Sequence, residues 1–101
     1  MKKFLLILLI IFFKNNALTD DEMDLGLDVY NNKAQCGVCH TLQAAGSEGQ
    51  IGPNFDILKP DISQIIYAVT NGVGVMQAWD GILSRKEIEA VAYYVFNSTN
   101  K

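Results

Sequence analysis

The sequence predicts an all-α domain of three to four helices, and three observations lead to this fold class. Segments with periodic apolar residues repeat them at steps of three and four, which is helical spacing. No segment alternates polar and apolar residues over a length that would indicate a strand. The chain has 101 residues, enough for one domain, and it contains no internal repeat or heptad pattern.

The first helix is predicted from about Asp21 to Lys33. Its opening residues are acidic, which suits the positive N-terminal end of a helix dipole. Leu25, Val29 and Tyr30 form an apolar stripe at helical spacing that can face a core.

Two more helices are predicted in the second half of the chain. One begins at Asp61, a good N-cap after a proline, and stops near Gly72. The last begins at a capping box in which Ser84 is followed three residues later by Glu87. The apolar faces consist of Ile62, Ile65, Ile66 and Val69 in the first of these helices and of Ile88, Val91, Ala92 and Val95 in the second.

The remaining segments are predicted as loops. Residues 41–60 contain three glycines and Pro53, which mark an irregular connection. A shorter glycine-containing loop leads from Val73 to Met76 between the last two helices.

The first 17 residues have the three-part layout of a secretory signal peptide. A basic start, Met1-Lys2-Lys3, precedes an apolar run from Phe4 to Phe13 and a polar stretch that ends at Ala17. We expect cleavage after Ala17, which divides the chain into a signal peptide, 1–17, and a domain, 18–101. The alternative is an uncleaved anchor, but ten apolar residues are far fewer than the roughly twenty that cross a bilayer. We therefore expect export, without stable membrane insertion after cleavage.

The domain that begins at residue 18 is acidic. It keeps five basic side chains against eleven acidic ones, a formal charge of −6. This charge argues against nucleic-acid binding, which needs clustered cations. It favours a protein partner with a basic docking patch, although the acidic side chains can also simply confer solubility.

The segment Cys36-Gly37-Val38-Cys39-His40 contains both cysteines and the only histidine of the chain. A CxxCH motif is typical of covalent attachment of a c-type haem. Residues three and four apart share a helix face, so the three side chains can face one flat ligand. The two thiols can add to the haem vinyl groups while His40 binds the iron from one side. The sequence therefore predicts one covalently attached haem c.

Three alternatives account for the cysteines less well. A thioredoxin-like site needs a preceding strand, and the residues before Cys36 are polar and not strand-like. A closed zinc site needs four Cys or His ligands, and this chain offers three. A disulfide is common in small secreted domains, but it gives no role to the histidine that follows Cys39 directly.

The second axial position of the iron decides what the haem can do. With no second histidine, the candidates after the signal peptide are Met23 and Met76. Met76 lies in a loop after the haem motif, where Gly72 and Gly74 let the backbone approach the macrocycle. We favour Met76, although a methionine can also simply fill a gap in a core. His/Met ligation raises the reduction potential and leaves no open coordination site.

The segment Gly52-Pro53-Asn54-Phe55 offers a hydrogen-bond partner for the histidine. A ligating imidazole normally donates its other N–H to a carbonyl or carboxylate. The carbonyl of Pro53 is our candidate acceptor for His40, and a simple turn is the alternative. The predicted walls of the haem pocket are Val38, Leu42, Ile51, Phe55, Ile66, Val75, Trp79 and Leu83.

Together these features resemble the class I cytochrome c family, the small monohaem carriers, over nearly all of the domain. The resemblance implies that the first and last helices cross, with Gly26 and Tyr30 meeting Tyr94. It also implies that Pro53 accepts from the haem histidine and that attachment occurs outside the bacterial cytoplasm, in the periplasm. The residues that carry it are Gly26, Tyr30, the motif at 36–40, the segment 52–55, Met76, Trp79 and Tyr94.

Two features depart from the family pattern. Many bacterial relatives have proline directly after the ligand methionine, whereas this chain has Gln77. The mitochondrial carriers dock through a basic face, so this acidic domain is expected to use different partners.

These observations predict a function in electron transfer and no enzymatic activity. We expect a monomeric periplasmic carrier that shuttles single electrons between redox proteins through a haem held by Cys36 and Cys39 and ligated by His40 and Met76. One alternative is a haem subunit that stays bound to a periplasmic dehydrogenase, such as a sulfite-oxidising enzyme. A more distant alternative is a haem-based gas sensor, which would need a vacant or labile iron site.

Overall fold

The computed structural model describes residues 21–101, and the predicted signal peptide lies outside the described residues. Helix α1 covers the described residues 21–28 and continues into a π-helical turn, Val29–Lys33. The predicted helix to Lys33 is confirmed. Its last turn is wider than an α-helix, and the amide of Ala34 closes that turn on the carbonyl of Val29 at 2.8 Å.

The segment after α1 is mostly irregular, but it contains two short 3-10 helices, Cys36–Val38 and Gln43–Ala45, two short strands and one short α-helix. Strands β1 (Thr41–Leu42) and β2 (Ser47–Glu48) pair antiparallel, with Leu42 opposite Ser47. Helix α2 (Phe55–Leu58) follows, and the Asn54 side chain caps it by accepting from two amides of its first turn. The prediction of an irregular loop over 41–60 is wrong at these elements. They are too short to show the periodicity on which that prediction depends.

The two longer helices, α3 (Ile62–Asn71) and α4 (Arg85–Thr99), confirm the sequence prediction. The Ser84 hydroxyl accepts from the Glu87 amide at 3.1 Å, and the Glu87 carboxylate accepts from the Ser84 amide at 2.8 Å, so the capping box is complete. Asp61 occupies the N-cap of α3 in extended conformation, but its side chain makes no capping hydrogen bond.

Helices α1 and α4 cross at Gly26. A Cβ added there would lie 2.3 Å from the Ala90 carbonyl oxygen and 2.5 Å from Tyr94 Cβ, so the two helices can approach this closely only at glycine. One turn further along, the rings of Tyr30 and Tyr94 are in contact with their centroids 6.0 Å apart. The expected crossing is confirmed.

The core lies where α1, α3, α4 and strand β1 meet. A buried apolar cluster joins these elements, and Met76, Trp79 and Phe55 pack against it from the loops. The predicted apolar faces of α3 and α4 point into this cluster. Its members are Val29, Tyr30, Leu42, Ile65, Val69, Leu83, Ile88, Val91, Ala92, Tyr94 and Val95.

Candidate haem site

The haem motif folds as one tight turn. Cys36–Val38 forms a 3-10 helix that starts after Gln35, whose φ of +52° lies in the left-handed region. The amides of Cys39 and His40 both donate to the Cys36 carbonyl, at 3.2 and 3.0 Å. The cysteines are partly exposed and the histidine is buried. The turn therefore carries two thiols and one imidazole within a single loop of backbone, as covalent haem attachment requires.

The structure bears on the alternatives for these cysteines. Cys36 and Cys39 are free, so no disulfide joins them. Among residues 21–101, no three His, Cys, Asp or Glu side chains are grouped so that they could hold a metal ion. Burial raises the pKa of the Cys36 thiol to about 11, the opposite of the lowered pKa typical of a thioredoxin-like site.

The imidazole of His40 is fixed on two sides. Its Nδ1 lies 2.8 Å from the Pro53 carbonyl oxygen, which can only accept, so Nδ1 carries the proton. The hydrogen bond predicted between these two residues is present. The ring also stacks on Phe55, with centroids 4.2 Å apart and planes 15° from parallel. With Nδ1 engaged, Nε2 is the nitrogen that remains for a metal.

Gly52 makes this arrangement possible. A Cβ at this position would lie 2.4 Å from Cε1 and 2.8 Å from Nδ1 of His40. The loop before Pro53 therefore passes directly against the imidazole. The Gly52 amide donates to the Cys39 carbonyl at 2.7 Å. Any larger residue would push the ring away from its acceptor.

The carbonyl of His40 is held as well, by two residues that the sequence analysis did not include in the site. The hydroxyl of Ser47 lies 3.0 Å from this oxygen and 2.9 Å from the hydroxyl of Tyr30. Tyr30 is completely buried, and this burial raises its pKa to about 12. The serine carries no sequence signal of its own, because it is one polar residue among the glycines of a loop.

Met76 occupies a tight turn between α3 and α4. It exchanges backbone hydrogen bonds with Val73, at 2.9 and 3.1 Å, and its side chain packs against the buried core. Gly72 has a φ of +77°, and a Cβ there would lie 2.7 Å from the Met76 carbonyl oxygen. The glycine thus lets α3 end directly against the turn that carries the methionine.

The predicted pocket walls divide into two groups. Leu42 and Leu83 are buried within the protein core, and Phe55, Ile66 and Trp79 are partly buried against it. The other three are exposed, by 66% for Val38, 69% for Ile51 and 93% for Val75.

The exposed residues flank the donor groups: Val38 lies within the motif, Ile51 precedes Gly52, and Val75 precedes Met76. Side chains of this kind can stabilise a large apolar group that contacts them. This apolar surface, the paired thiols and the oriented imidazole fit a covalently attached haem.

Comparison with known proteins defines the class of this protein. Residues 21–95 match the family described as "Cytochrome C oxidase, cbb3-type, subunit III". The match spans most of the chain, so the chain belongs to this family of c-type cytochromes. It is a small class I c-type cytochrome that carries covalently bound haem c and transfers electrons to and from redox partners.

Individual relatives agree with this class. Cytochrome c6 of Tetradesmus obliquus is 34% identical over 87 residues, which cover 76% of this chain and 93% of the relative. Cytochrome c6 of Chlorolobion braunii is 35% identical over 86 residues, which cover 75% of this chain and 92% of the relative. In the crystal structure of the c-type cytochrome SorU from Sinorhizobium meliloti, the matching fold has a TM-score of 0.76, with 44% identity over 81% of this chain and 95% of SorU. Within residues 21–101, no helix is both long and apolar enough to cross a membrane.

Proposed function

We propose that this chain is an exported, monomeric electron carrier whose single haem is ligated by His40 and Met76. Thioether bonds to Cys36 and Cys39 hold the haem, and the domain comprises residues 18–101. When bound, the haem iron supplies a one-electron redox couple. The protein contributes the two axial ligands, an apolar enclosure and a surface for partners.

The observation that carries the proposal is the hydrogen bond between His40 Nδ1 and the Pro53 carbonyl, at 2.8 Å. It fixes the tautomer in which Nε2 is unprotonated and able to bind iron. This hydrogen bond and the stacking of Phe55 on one face of the ring together restrain rotation of the imidazole. A histidine held in this way is a rigid ligand, and its position changes little between the two oxidation states of the iron.

Met76 is the proposed second ligand because it lies in a constrained turn and packs at the edge of the core. A thioether favours reduced iron and raises the reduction potential. Iron that is ligated on both sides has no free position for oxygen or substrate. Electron transfer without chemistry at the metal is the function that such a site supports.

Replacing Met76 by alanine tests this ligation. We expect the oxidised variant to lose the iron–sulfur charge-transfer band, the reduction potential to fall, and the reduced variant to bind carbon monoxide rapidly, because one axial position is then open. Met23, on α1, is the matched control, and Met23→Ala should keep the band. An unchanged spectrum in Met76→Ala would remove this residue from the site, and rapid carbon monoxide binding by the wild type would favour the gas-sensor alternative.

The acidic charge supports docking to a partner with a basic patch. Small redox ions can test the sign of the field without a known partner. We expect the rate of reduction by hexaammineruthenium(II), a cation, to fall as salt rises, because screening weakens attraction. The rate with hexacyanoferrate(II), an anion, should rise. The same salt trend for both ions would contradict an acidic reaction surface.

The basic start and apolar run at residues 4–13 support export to the periplasm and cleavage after Ala17. Mass spectrometry of the protein recovered from the periplasmic fraction of a bacterial host tests this point. We expect the mass of residues 18–101 plus one haem. Recovery of the full-length chain only in the membrane fraction would contradict cleavage.

A haem subunit that stays bound to a dehydrogenase is the second candidate. The exposed side chains of Val38, Ile51 and Val75 favour it, because a permanent partner could cover an apolar surface around the haem. Sedimentation of the purified holoprotein over a range of concentrations separates the two. A soluble monomer at all concentrations favours the shuttle, whereas aggregation that a Val75→Ser substitution relieves favours the bound subunit.

A further inference from the structure

Ser47 lies at the centre of a partly buried polar network beside the haem motif. Its hydroxyl lies 2.9 Å from the Tyr30 hydroxyl, 3.0 Å from the His40 carbonyl oxygen and 3.1 Å from the Leu42 amide. The proton directions follow from the partners. The carbonyl can only accept and the amide can only donate, so Ser47 donates to His40 and accepts from Leu42 and Tyr30. All hydrogen-bonding capacity of this hydroxyl is then used.

This network completes the fixation of His40. The amide of the residue donates to Cys36, and the ring donates to Pro53. Its carbonyl accepts from Ser47 and, at the longer distance of 3.5 Å, lies within reach of Tyr30. The backbone amide and carbonyl of His40 are therefore both hydrogen-bonded, as is its ring.

The position of Ser47 is determined by packing as well as by hydrogen bonds. A Cβ at Gly37, inside the haem motif, would lie only 2.6 Å from Ser47 Cβ, so strand β2 is pressed against the motif. Pairing of Ser47 with Leu42 across the two strands fixes its register. Tyr30 cannot move away, because it is completely buried between Phe55 and Tyr94.

We propose that Ser47, supported by Tyr30, is a positioning residue that sets the orientation of the His40 imidazole plane relative to the haem. The inference rests on the proposed ligation of iron by His40. Without the serine hydroxyl, the His40 carbonyl loses its nearer donor, and the peptide plane between residues 40 and 41 is held less firmly. The imidazole is joined to this backbone through Cα and Cβ, so a shift of the backbone tilts the ring plane while Pro53 still accepts from Nδ1.

The test compares Ser47→Ala with Ser84→Ala in the haem-loaded protein. Ser84 caps α4 and has no contact with His40, so its replacement lowers thermal stability without touching the network. In the oxidised protein, the NMR shifts of the haem methyl groups depend on the orientation of the axial imidazole plane. We expect Ser47→Ala to change the order or the spread of these shifts and to alter the reduction potential, and Ser84→Ala to change neither.

Tyr30→Phe keeps the ring and removes only its hydroxyl, and it serves if Ser47→Ala does not fold. It should shift the methyl resonances in the same direction as Ser47→Ala but by less, because the serine still donates to His40. Wild-type shifts in both variants, or equal changes in Ser84→Ala, would overturn the positioning role while leaving His40 as ligand. A wild-type spectrum without the signature of a low-spin haem with two axial ligands would contradict the ligation itself and both proposals with it.

Discussion

Replacing Gly26 by alanine gives the sharpest test of the helix crossing. The new methyl group would lie 2.3 Å from the Ala90 carbonyl oxygen and 2.5 Å from Tyr94 Cβ. Comfortable contacts between carbon atoms are about 3.5–4.0 Å, so α1 and α4 must separate by about 1 Å. Neither neighbouring atom can swing aside, because one belongs to the backbone and the other to the stem of a buried side chain.

The two effects of this substitution have opposite signs. Alanine is favoured over glycine within a helix by about 1 kcal/mol. Overpacking typically costs about 1–3 kcal/mol of stability. We expect a cost at the upper end of that range here, because the new methyl group would meet backbone atoms. We therefore expect a net loss of about 2 kcal/mol in the free energy of unfolding. For a domain of this size, that loss lowers Tm by about 8–16 °C.

Thermal unfolding of the haem-loaded protein, followed by far-UV circular dichroism as a measure of helix content, determines this change. Asp24→Ala, at an exposed position on the same helix, is the control and should alter the free energy of unfolding by less than about 0.5 kcal/mol. An unchanged or raised Tm in Gly26→Ala would refute the close crossing. Helix propensity would then be the only effect of the residue.

Two further predictions concern the α1–α4 ion pair and the loop against His40. The hydrogen bond from Lys33 lowers the pKa of Glu87 from 4.5 to about 2, so this carboxylate stabilises the fold above pH 4.5 and progressively loses that contribution as the pH falls toward 2. Glu87→Gln should therefore show a smaller decrease of Tm between pH 4.5 and 2 than the wild type. Glu89→Gln, at an exposed position, is the control and should behave like the wild type. Equal decreases of Tm in all three proteins would contradict the ion pair. Gly52→Ala should weaken the His40–Pro53 hydrogen bond, because its Cβ would lie 2.4 Å from the ring. The imidazole then becomes a poorer donor to oxidised iron, so voltammetry should show a raised potential, and an unchanged potential would contradict the contact.

The parts of the fold that the sequence predicted are those with local signals. Ser84 and Glu87 form a capping box from two residues three positions apart, and α4 begins there. Gly72 ends α3 because a positive φ is needed at that point. The strand pair and α2 were missed because two- and four-residue elements show no periodicity, although Asn54 before α2 is a readable N-cap.

The site divides in the same way. The CxxCH spacing and a following proline predicted the donors and the acceptor of His40, since these are properties of residue type and order. Ser47 and Gly52 could not be found in this way. The Ser47 hydroxyl lies 3.0 Å from the His40 carbonyl oxygen, and a Cβ on Gly52 would lie 2.4 Å from the His40 ring. Both relations exist only after the loop has folded back on the motif.

The most direct test of the central claim identifies the sulfur that faces His40 across the haem. In the reduced protein, the methyl group of a ligating methionine lies over the macrocycle and gives a strongly shielded three-proton NMR singlet. We predict one such singlet, present in Met23→Leu and absent in Met76→Leu. A wild-type spectrum without the singlet, or one in which it disappears with Met23, would contradict ligation of the iron by His40 and Met76.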